Sequence, residues 1–409
     1  MNQTAHEPVC GNAQEIERPR STEGIGALVI GGDHPGLAIA RSLGRRGIPV
    51  NILEDRHSIS SYSRYASRVL RAKDLRDAQE TVDSVLEAGH RHGLRDWVLF
   101  PTRDETVMAF SLHRERLAEF FRVTTPVWDT TRWAWDKRNT YWMAEHLGIP
   151  APRTRTLQSL DELPSLYSQL PLAIKPAIKE DFFYATGAKA WRVDTPEQLR
   201  KLFSAALKKI KLSEIMIQEI IPGDGECQFS YCTFFRDGAP HSSLVAKRMR
   251  QHPREFGRAA TYVETVDRPE VEELGERFLK AIDFHGIVEI EFKRDPRDGQ
   301  YKLLDVNARA WGFHALGKAA GVDFPYLLFA DQLGYSVEPR RGRPGVGWLR
   351  LVTDCPVALF EILGGRISLG SYIQSIRRTK VESVFCSTDL LPSAIEFALL
   401  PYFVIKRLL

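Results

Sequence analysis

Residues 286–312 read GIVEIEFKRDPRDGQYKLLDVNARAWG, a strand, a turn and a second strand, and this hairpin is the strongest feature of the chain. Side chains two residues apart on a strand point to the same face, so Glu289 and Glu291 lie together on the first strand. By the same rule, Asp305 and Asn307 share a face of the second strand. The hairpin therefore predicts carboxylates and one carboxamide beside each other.

Oxygen ligands in this arrangement are typical of a Mg²⁺ site, because Mg²⁺ prefers carboxylates and is completed by substrate phosphates. Burying these carboxylates on adjacent strands would be costly without a cation. The alternative is a solvated face of alternating charge, since Lys293 is in register with the glutamates. Arg309 shares the register of Asp305 and Asn307. Its guanidinium either holds a transferring phosphoryl group or forms a salt bridge with one of the acids.

Three lysines are candidates for polyphosphate binding. Lys175 ends an apolar strand, and Lys189 begins the next strand after the loop PAIKEDFFYATG, residues 176–187. A lysine at the end of a buried strand needs an anionic partner. Lys137 is the third candidate, although an ordinary surface lysine on a helix explains it equally simply. The sequence GxxxxGK[ST] does not occur, which excludes a P-loop NTPase.

The segment 216–226, MIQEIIPGDGE, runs from a strand into a Pro-Gly loop. The Glu219 carboxylate and the backbone of Ile221 are placed to hydrogen-bond an adenine edge, and Glu226 is placed to accept from ribose hydroxyls. Alone, the segment is also explained as a strand followed by a turn.

A basic cluster follows on the chain. Five positive charges fall within twelve residues, at Lys247, Arg248, Arg250, Arg254 and Arg258. Such a loop can receive an acidic substrate or a phosphoryl oxygen, and a solvated basic loop is the alternative.

The rest of the sequence is that of an ordinary globular protein. Its 409 residues suggest two to three domains, and 56 Lys and Arg against 52 Asp and Glu give a charge of +4, which excludes nucleic-acid binding by bulk charge.

Residues 27–30, ALVI, open a βαβ pattern. The turn glycines Gly31, Gly32 and Gly36 fall short of a dinucleotide fingerprint and are explained by a tight turn. Asp104-Glu105 follows a strand end, either as a ligand site or, preferably, as the start of a helix.

The two ends of the chain differ in character. Residues 1–24 are polar and have no apolar h-region, which predicts a disordered leader without a secretory signal. The scattered cysteines favour a reducing cytoplasm. Residues 390–409, LLPSAIEFALLPYFVIKRLL, are apolar and aromatic. A helix packed on the body is favoured there over an amphipathic segment on anionic lipid, which would make the protein peripheral at the inner face of the membrane.

Taken in order, these motifs resemble the ATP-grasp superfamily over residues 25–335. The matching pieces are Asp136-Lys137, Lys175-Pro176, Lys189, the hinge Gln218-Glu219-Ile220-Ile221-Pro222-Gly223 with Glu226, and Glu291 with Asp305-Val306-Asn307-Ala308-Arg309. Within the superfamily the chain is similar to carboxylate–amine ligases of the D-aspartate ligase type, through the stretch AKRMRQHPREFG at residues 246–257.

The resemblance implies an α/β and α+β multidomain protein with the ATP-grasp fold. The expected parts are the disordered leader at 1–24, a preATP-grasp (Rossmann-like) domain at 25–130, a lid at 131–215, a catalytic subdomain at 216–335 and a C-terminal appendage at 336–409. The Gly-, Pro- and Arg-rich stretch after Tyr335 is predicted to be a linker.

The resemblance also implies residue roles. In ATP binding, the phosphates would be contacted by Lys137, Lys175 and Lys189, the adenine by the hinge residues Gln218, Glu219 and Ile221, and the ribose by Glu226. Mg²⁺ or Mn²⁺ would be held by Glu291, Asp305 and Asn307. In catalysis, Arg309 would steady the γ-phosphoryl group, while Arg258 and Lys247 would face the acylphosphate or the carboxylate substrate. The sequence departs from the family at Asp305, where Glu is usual, and in the acidic, aromatic loop KEDFFYATG at residues 179–187.

The implied activity is ATP-dependent ligation of a carboxylate to an amine through an acylphosphate. Amino acids and cell-envelope precursors are candidate substrates, nucleic acid is not a partner, and a homodimer is compatible with the sequence. Three alternatives stay open: a carboxylase-type enzyme that uses bicarbonate, a nucleotide-binding protein without turnover, and an oxidoreductase built on Gly31–Gly36.

Overall fold

The computed structural model describes residues 24–257 and 259–408, without the side chains of Asp181 and of residues 400–408. The predicted leader, apart from Gly24, lies outside the described residues. The predicted catalytic residue Arg258 lies outside them as well.

The N-terminal part is a parallel sheet with helices packed against it. Its apolar runs form strands buried along their length, as expected for a parallel sheet covered on both faces. The strands are β1 (Ala27–Ile30), β2 (Val50–Glu54), β3 (Arg68–Arg71), β4 (Val98–Pro101) and β5 (Arg122–Val123), in the order β3-β2-β1-β4-β5. Its helices are α1 (His34–Gly44), α2 (Ala78–His92), α3 (Asp104–Leu112) and α4 (Arg114–Ala118). The next two helices, α5 (Trp128–Trp135) and α6 (Lys137–His146), contact the strand Tyr301–Asn307 of the large sheet described below.

The turn after β1 needs glycine for steric reasons. Gly31 has a φ of +99°, and a Cβ atom there would lie 2.3 Å from Oγ1 of Thr102. A Cβ atom on Gly36 would lie 2.3 Å from the carbonyl oxygen of Gly31. Packing alone therefore accounts for these glycines, as the sequence favours.

A small antiparallel sheet forms the second part. Its strands are β6 (Thr154–Thr156), β7 (Leu172–Pro176), β8 (Trp191–Val193) and β9 (Ile215–Glu219), in the order β6-β9-β7-β8, with helices α7 (Lys179–Thr186) and α8 (Pro196–Leu207). The segment predicted as a loop is thus largely the helix α7. The buried Phe182 packs against Trp191, and the left-handed Gly187 ends the helix, so apolar packing stabilises a helix where a loop was expected.

The third part is an eight-stranded sheet with helices. Its strands are β10 (Gln228–Arg236), β11 (Ala239–His252), β12 (Ala259–Val266), β13 (Gly286–Arg294), β14 (Tyr301–Asn307), β15 (Arg340–Arg341), β16 (Gly347–Leu349) and β17 (Thr379–Glu382). Their order is β14-β13-β10-β11-β12-β16-β17, and β15 pairs with β11. The helices are α9 (Pro269–Ala281), α10 (Ala315–Ala320), α11 (Phe324–Gln332), α12 (Leu351–Leu363), α13 (Leu369–Arg378) and α14 (Leu391–Leu408).

The predicted linker after Tyr335 is wrong. Arg340–Arg341 pairs with β11, and Gly347–Leu349 pairs with β12, so this stretch adds strands to the large sheet. Buried apolar residues at its end, such as Trp348, supply the packing that composition alone did not reveal. The domain boundaries stay predictions.

One apolar cluster joins the parallel sheet to the large sheet. Val29 and Ile52 of the first pack in the same core as Phe234, Trp311 and Trp348 of the second. This shared core brings the end of β4 next to the end of β14, where the candidate site lies. Within the described residues, no helix has the length and apolar character needed to cross a membrane.

Candidate active site

The predicted oxygen ligands meet on one face of the β13–β14 hairpin. Glu291 lies opposite Asp305 and Glu289 lies opposite Asn307 in the strand register. Nδ2 of Asn307 donates to Oε2 of Glu289 at 3.1 Å and to Oε1 of Glu291 at 3.3 Å. Glu289, Glu291 and Asn307 are buried. The shared face predicted from the period of the strands is therefore present.

Cations from distant segments balance these acids. Nζ of Lys137 lies 2.5 Å from Oδ1 of Asp305, and Nη2 of Arg248 lies 3.3 Å from Oε1 of Glu291. Burial opposes ionisation of Asp305, but Lys137 and Lys175 outweigh it and lower its pKa to about 2. Arg248 was named in the sequence only as part of the basic cluster, and its role here was missed.

Of the three acids on this face, Glu289 is the one whose ionisation is disfavoured. Burial, followed by repulsion from Glu291, raises the pKa of Glu289 to about 7. Ser230 Oγ donates to its Oε1 at 2.7 Å. Three carboxylates on one hairpin face thus make a site that gains from additional positive charge.

The remaining predicted lysines also reach this region. Nζ of Lys175 donates to the hydroxyl of Tyr141 at 2.9 Å, and that hydroxyl donates to the carbonyl of Leu304 at 2.9 Å. Burial lowers the pKa of the partly buried Lys189 to about 8. Lys189 has no hydrogen-bond or ion-pair partner among the described residues. A desolvated ammonium without a partner, close enough to Glu291 to sense its charge, is suited to an anionic ligand.

Arg309 is held by the N-terminal part of the chain. Its Nε lies 2.5 Å from Oδ1 of Asp104, and its Nη2 lies 3.1 Å from Oδ2. Lys179 of α7 contacts the same carboxylate. Burial opposes ionisation of Asp104, but Arg309 and Lys179 hold its pKa well below the usual range. The sequence preference for a simple helix start at Asp104 overlooked this pairing, although the position after β4 was a usable signal.

The hinge residues are tied to the hairpin turn. Glu219 accepts from Nη2 of Arg297 at 3.2 Å and from Nζ of Lys302 at 3.4 Å. The carbonyl of Ile221 accepts from Lys293 at 2.9 Å, while its amide N–H has no acceptor among the described residues. An amide without an acceptor is compatible with the predicted contact to adenine.

The other predicted contacts stay predictions. Nε2 of Gln218 donates to Oγ1 of Thr154 at 2.9 Å, which links β9 to β6. Nζ of Lys247, which was assigned to catalysis, lies 3.8 Å from Oε2 of Glu226, which was assigned to the ribose.

The arginines of the basic cluster at residues 247–258 contact different parts of the structure. Arg248 reaches the acids of the hairpin. Arg250 forms a bidentate ion pair with the fully buried Asp354, from Nε to Oδ1 at 2.9 Å and from Nη2 to Oδ2 at 2.8 Å. This pair anchors the C-terminal appendage. Nη2 of Arg254 lies 3.3 Å from Oδ2 of the partly exposed Asp224.

The donor set is compatible with a divalent cation that phosphates complete. Among the residues that the structure describes, no group of three or more His, Cys, Asp or Glu side chains is arranged to hold a metal by itself. Mg²⁺ does not require such a cage, because it is bound by one or two carboxylates together with water and substrate phosphates. Glu291, Asp305 and Asn307 offer two carboxylates and an amide oxygen. The adjoining pocket is lined by polar residues such as Lys137 and Lys179 and by apolar ones such as Val107 and Trp135.

The arrangement of the three sheets is that of the ATP-grasp fold, as the sequence predicts. A family model described as "ATP-grasp in the biosynthetic pathway with Ter operon" matches residues 239–347. Two solved structures share the fold. Biotin carboxylase of Campylobacter jejuni, in a complex with β-γ-ATP, has a TM-score of 0.62 at 14% identity, covering 78% of this chain and 73% of that one. L-amino acid ligase of Bacillus licheniformis has a TM-score of 0.59 at 16% identity, covering 76% and 74%.

A particular relative is D-aspartate ligase of Enterococcus faecium. It is 24% identical over 232 residues, which are 53% of this chain and 53% of that enzyme. The chain thus spans about half the length of this curated relative. The predicted similarity to enzymes of the D-aspartate ligase type is confirmed.

Proposed function

We propose that this chain is an ATP-dependent ligase that joins a carboxylate to an amine and releases ADP and phosphate. The observation that carries the proposal is the hairpin face of Glu291, Asp305 and Asn307, with Lys137 and Arg248 brought to it from other segments. Because D-aspartate ligase and L-amino acid ligase are named for amino acids, an amino acid is the proposed substrate class on at least one side of the reaction.

The proposed reaction has two steps. A carboxylate oxygen attacks the γ-phosphorus of ATP, the bond to the β,γ-bridging oxygen breaks, and an acylphosphate and ADP result. The amine nitrogen then attacks the acyl carbon, the bond to the phosphate oxygen breaks, and the nitrogen loses a proton to solvent. Since ATP activates the acid, the protein needs no nucleophile of its own and contributes position and charge.

The residues around the hairpin divide this work. Lys137, Lys175 and Lys189 neutralise the phosphates of the substrate ATP. Arg309 is oriented by the bidentate contact with Asp104 and balances charge on the transferring group. Mg²⁺ or Mn²⁺ at Glu291, Asp305 and Asn307 would supply Lewis-acid stabilisation of phosphate oxygens.

Helix α7 excludes water from the cleft. It carries Lys179, which contacts Asp104, and Tyr184, which donates to Glu105. These contacts close the small antiparallel sheet against the N-terminal part. Exclusion of water matters because an acylphosphate hydrolyses when exposed.

A screen for ADP release tests the proposal. Pairs of amino acids and other carboxylates and amines are supplied with Mg·ATP, and hydroxylamine is used to trap an acylphosphate as a hydroxamate. We expect ADP release that requires both substrates and no bicarbonate. Arg309→Gln should lose about 10²- to 10³-fold in kcat, whereas Lys201→Met on the exposed side of α8 should not change it. ADP release that depends on bicarbonate instead of a carboxylate and an amine would favour the carboxylase-type alternative.

A further inference from the structure

Three helices of the C-terminal appendage pack on the body through polar side chains. In α12 the buried residues are Asp354 and Ala358, and in α13 the buried residue is Ser375. At the start of α14, Ser393 and Glu396 are buried. A helix of a globular protein ordinarily buries its apolar side, so this arrangement is the reverse of the usual one.

Hydrogen bonds fix these polar sides to the body. Arg250 of β11 binds Asp354 and also donates to Oγ of Ser375 at 3.0 Å, so one guanidinium anchors both α12 and α13. Arg350, which directly precedes α12, donates to Oε1 of Glu396 at 2.7 Å. Oγ of Ser393 donates to the carbonyl of Val384 at 3.1 Å. Polar contacts therefore hold α12 on β11 and β12, α13 on β16, and the start of α14 on the segment that follows β17.

The apolar sides of the same helices face away from the body. Phe360 is 68% exposed and Leu363 is 75% exposed on α12, and Leu369 is 60% exposed on α13. Of the 18 exposed large apolar residues among the described side chains, 11 lie within residues 359–399. They are Leu359, Phe360, Leu363, Leu369, Ile373, Ile376, Phe385, Leu390, Leu391, Phe397 and Leu399. Exposed apolar side chains concentrated in this way mark an interaction surface.

The charge of this apolar surface is positive. Each of its acids already has a partner within the protein. Asp354 forms an ion pair with Arg250, Glu361 with Arg366, Asp389 with Arg41 and Glu396 with Arg350. Glu382 accepts from the backbone amides of Leu351 and Val384. Arg377 and Lys380 are exposed and have no partner among the described residues. A second copy docked on this surface would bring two more unpaired cations and no unpaired acid to the interface.

We infer that the apolar surface of α12, α13 and the start of α14 binds the surface of a bilayer with anionic headgroups. Exposed leucine, isoleucine and phenylalanine side chains would enter the interface, while Arg377 and Lys380 would meet the headgroups. Helices of this composition lie in the plane of a membrane and do not cross it. The sequence favoured a packed helix at residues 390–409. The surface inferred here begins earlier in the chain, at α12.

Vesicle flotation with the full chain tests the inference. Vesicles of phosphatidylcholine are compared with vesicles of equal parts phosphatidylcholine and phosphatidylglycerol. We expect the chain to float with the anionic vesicles and less with the neutral ones. Binding should fall between about 0.1 M and about 1 M salt, since the screening length shortens from about 10 to about 3 Å.

Two variants separate the apolar and charged contributions. The double change Phe360→Glu with Leu363→Glu should abolish flotation, because it places charge where apolar side chains enter the interface. Arg377→Gln with Lys380→Gln should weaken binding to anionic vesicles by about 25-fold, at about fivefold for each cation, and leave binding to neutral vesicles unchanged. Leu112→Glu, at an exposed apolar position on α3, is the matched control and should float like the unchanged chain.

The inference is overturned if the chain does not float with anionic vesicles or if Phe360→Glu with Leu363→Glu leaves flotation intact. It is overturned equally if sedimentation shows a dimer that this double variant splits into monomers, because a second copy would then cover the surface. ADP release in solution is measured in parallel. A soluble active ligase without lipid binding would remove this inference and leave the proposed function standing.

Discussion

Lys189 offers the sharpest test of the candidate nucleotide site. Its ammonium is desolvated, lacks a partner among the described residues, and has a pKa lowered to about 8. A phosphate bound beside it would raise that pKa, so binding of ATP favours the protonated lysine. The affinity for ATP should therefore be highest below pH 8 and weaken above it.

The size of the effect follows from this pKa. At pH 7 about nine tenths of the free protein carries a protonated Lys189, and at pH 9 about a tenth does. The apparent Kd for ATP should rise about tenfold between these values. Lys189→Met removes one charge-assisted hydrogen bond worth about 1.5–3 kcal/mol, which raises Kd by about 10- to 150-fold at pH 7.

Titration calorimetry of Mg·ATP binding at several pH values measures both effects. Lys189→Arg keeps its charge throughout and should bind ATP with an affinity that does not change between pH 7 and 9. Lys201→Met removes an exposed lysine from α8 and should behave like the unchanged chain. If Lys189→Met binds ATP as tightly as the unchanged chain, or if both weaken alike with pH, Lys189 does not contact the phosphates.

Three further predictions concern the metal, the fold and the pH response. Asp305→Asn should raise the Mg²⁺ concentration needed for half-maximal ADP release by more than about tenfold, since even outer-shell partners contribute that much. Asp389→Ala should lower the free energy of unfolding in urea by about 3–5 kcal/mol, because it leaves Arg41 and Ser63 without their buried acceptor. Burial lowers the pKa of His314 to about 4, so acidification from about pH 6.5 to about pH 4 should cost on the order of 3 kcal/mol of stability. His314→Asn, which keeps a donor for the carbonyl of Trp311, should be spared that loss.

Matched measurements decide these three. An unchanged Mg²⁺ requirement in Asp305→Asn would remove Asp305 from the metal ligands. Glu87→Ala breaks an exposed ion pair with Arg91 and should cost less than about 0.5 kcal/mol, so an equal loss in Asp389→Ala would contradict a buried anchor. If His314→Asn and the unchanged chain lose stability alike on acidification, His314 does not remain neutral in the folded protein.

Local patterns in the sequence were sufficient to predict several of the strands and helices. The strand at Ala27–Ile30 and the hairpin within residues 286–312 were predicted from the local sequence, and the structure confirms both. The segment 176–187 was predicted as a loop, but its aromatic residues pack and form α7. Short apolar stretches of this kind are decided by the partners available to them, which the local sequence does not contain.

The shared face of Glu289, Glu291, Asp305 and Asn307 could be predicted from the chain alone, because the two-residue period of a strand is a local property. The cations that meet these residues could not be predicted, since they depend on the packing of distant segments. Lys137 reaches Asp305 across 168 residues, and Arg309 reaches Asp104 across 205. Contacts over such separations depend on how three sheets pack around a common core, and the strand period carries no information about that packing.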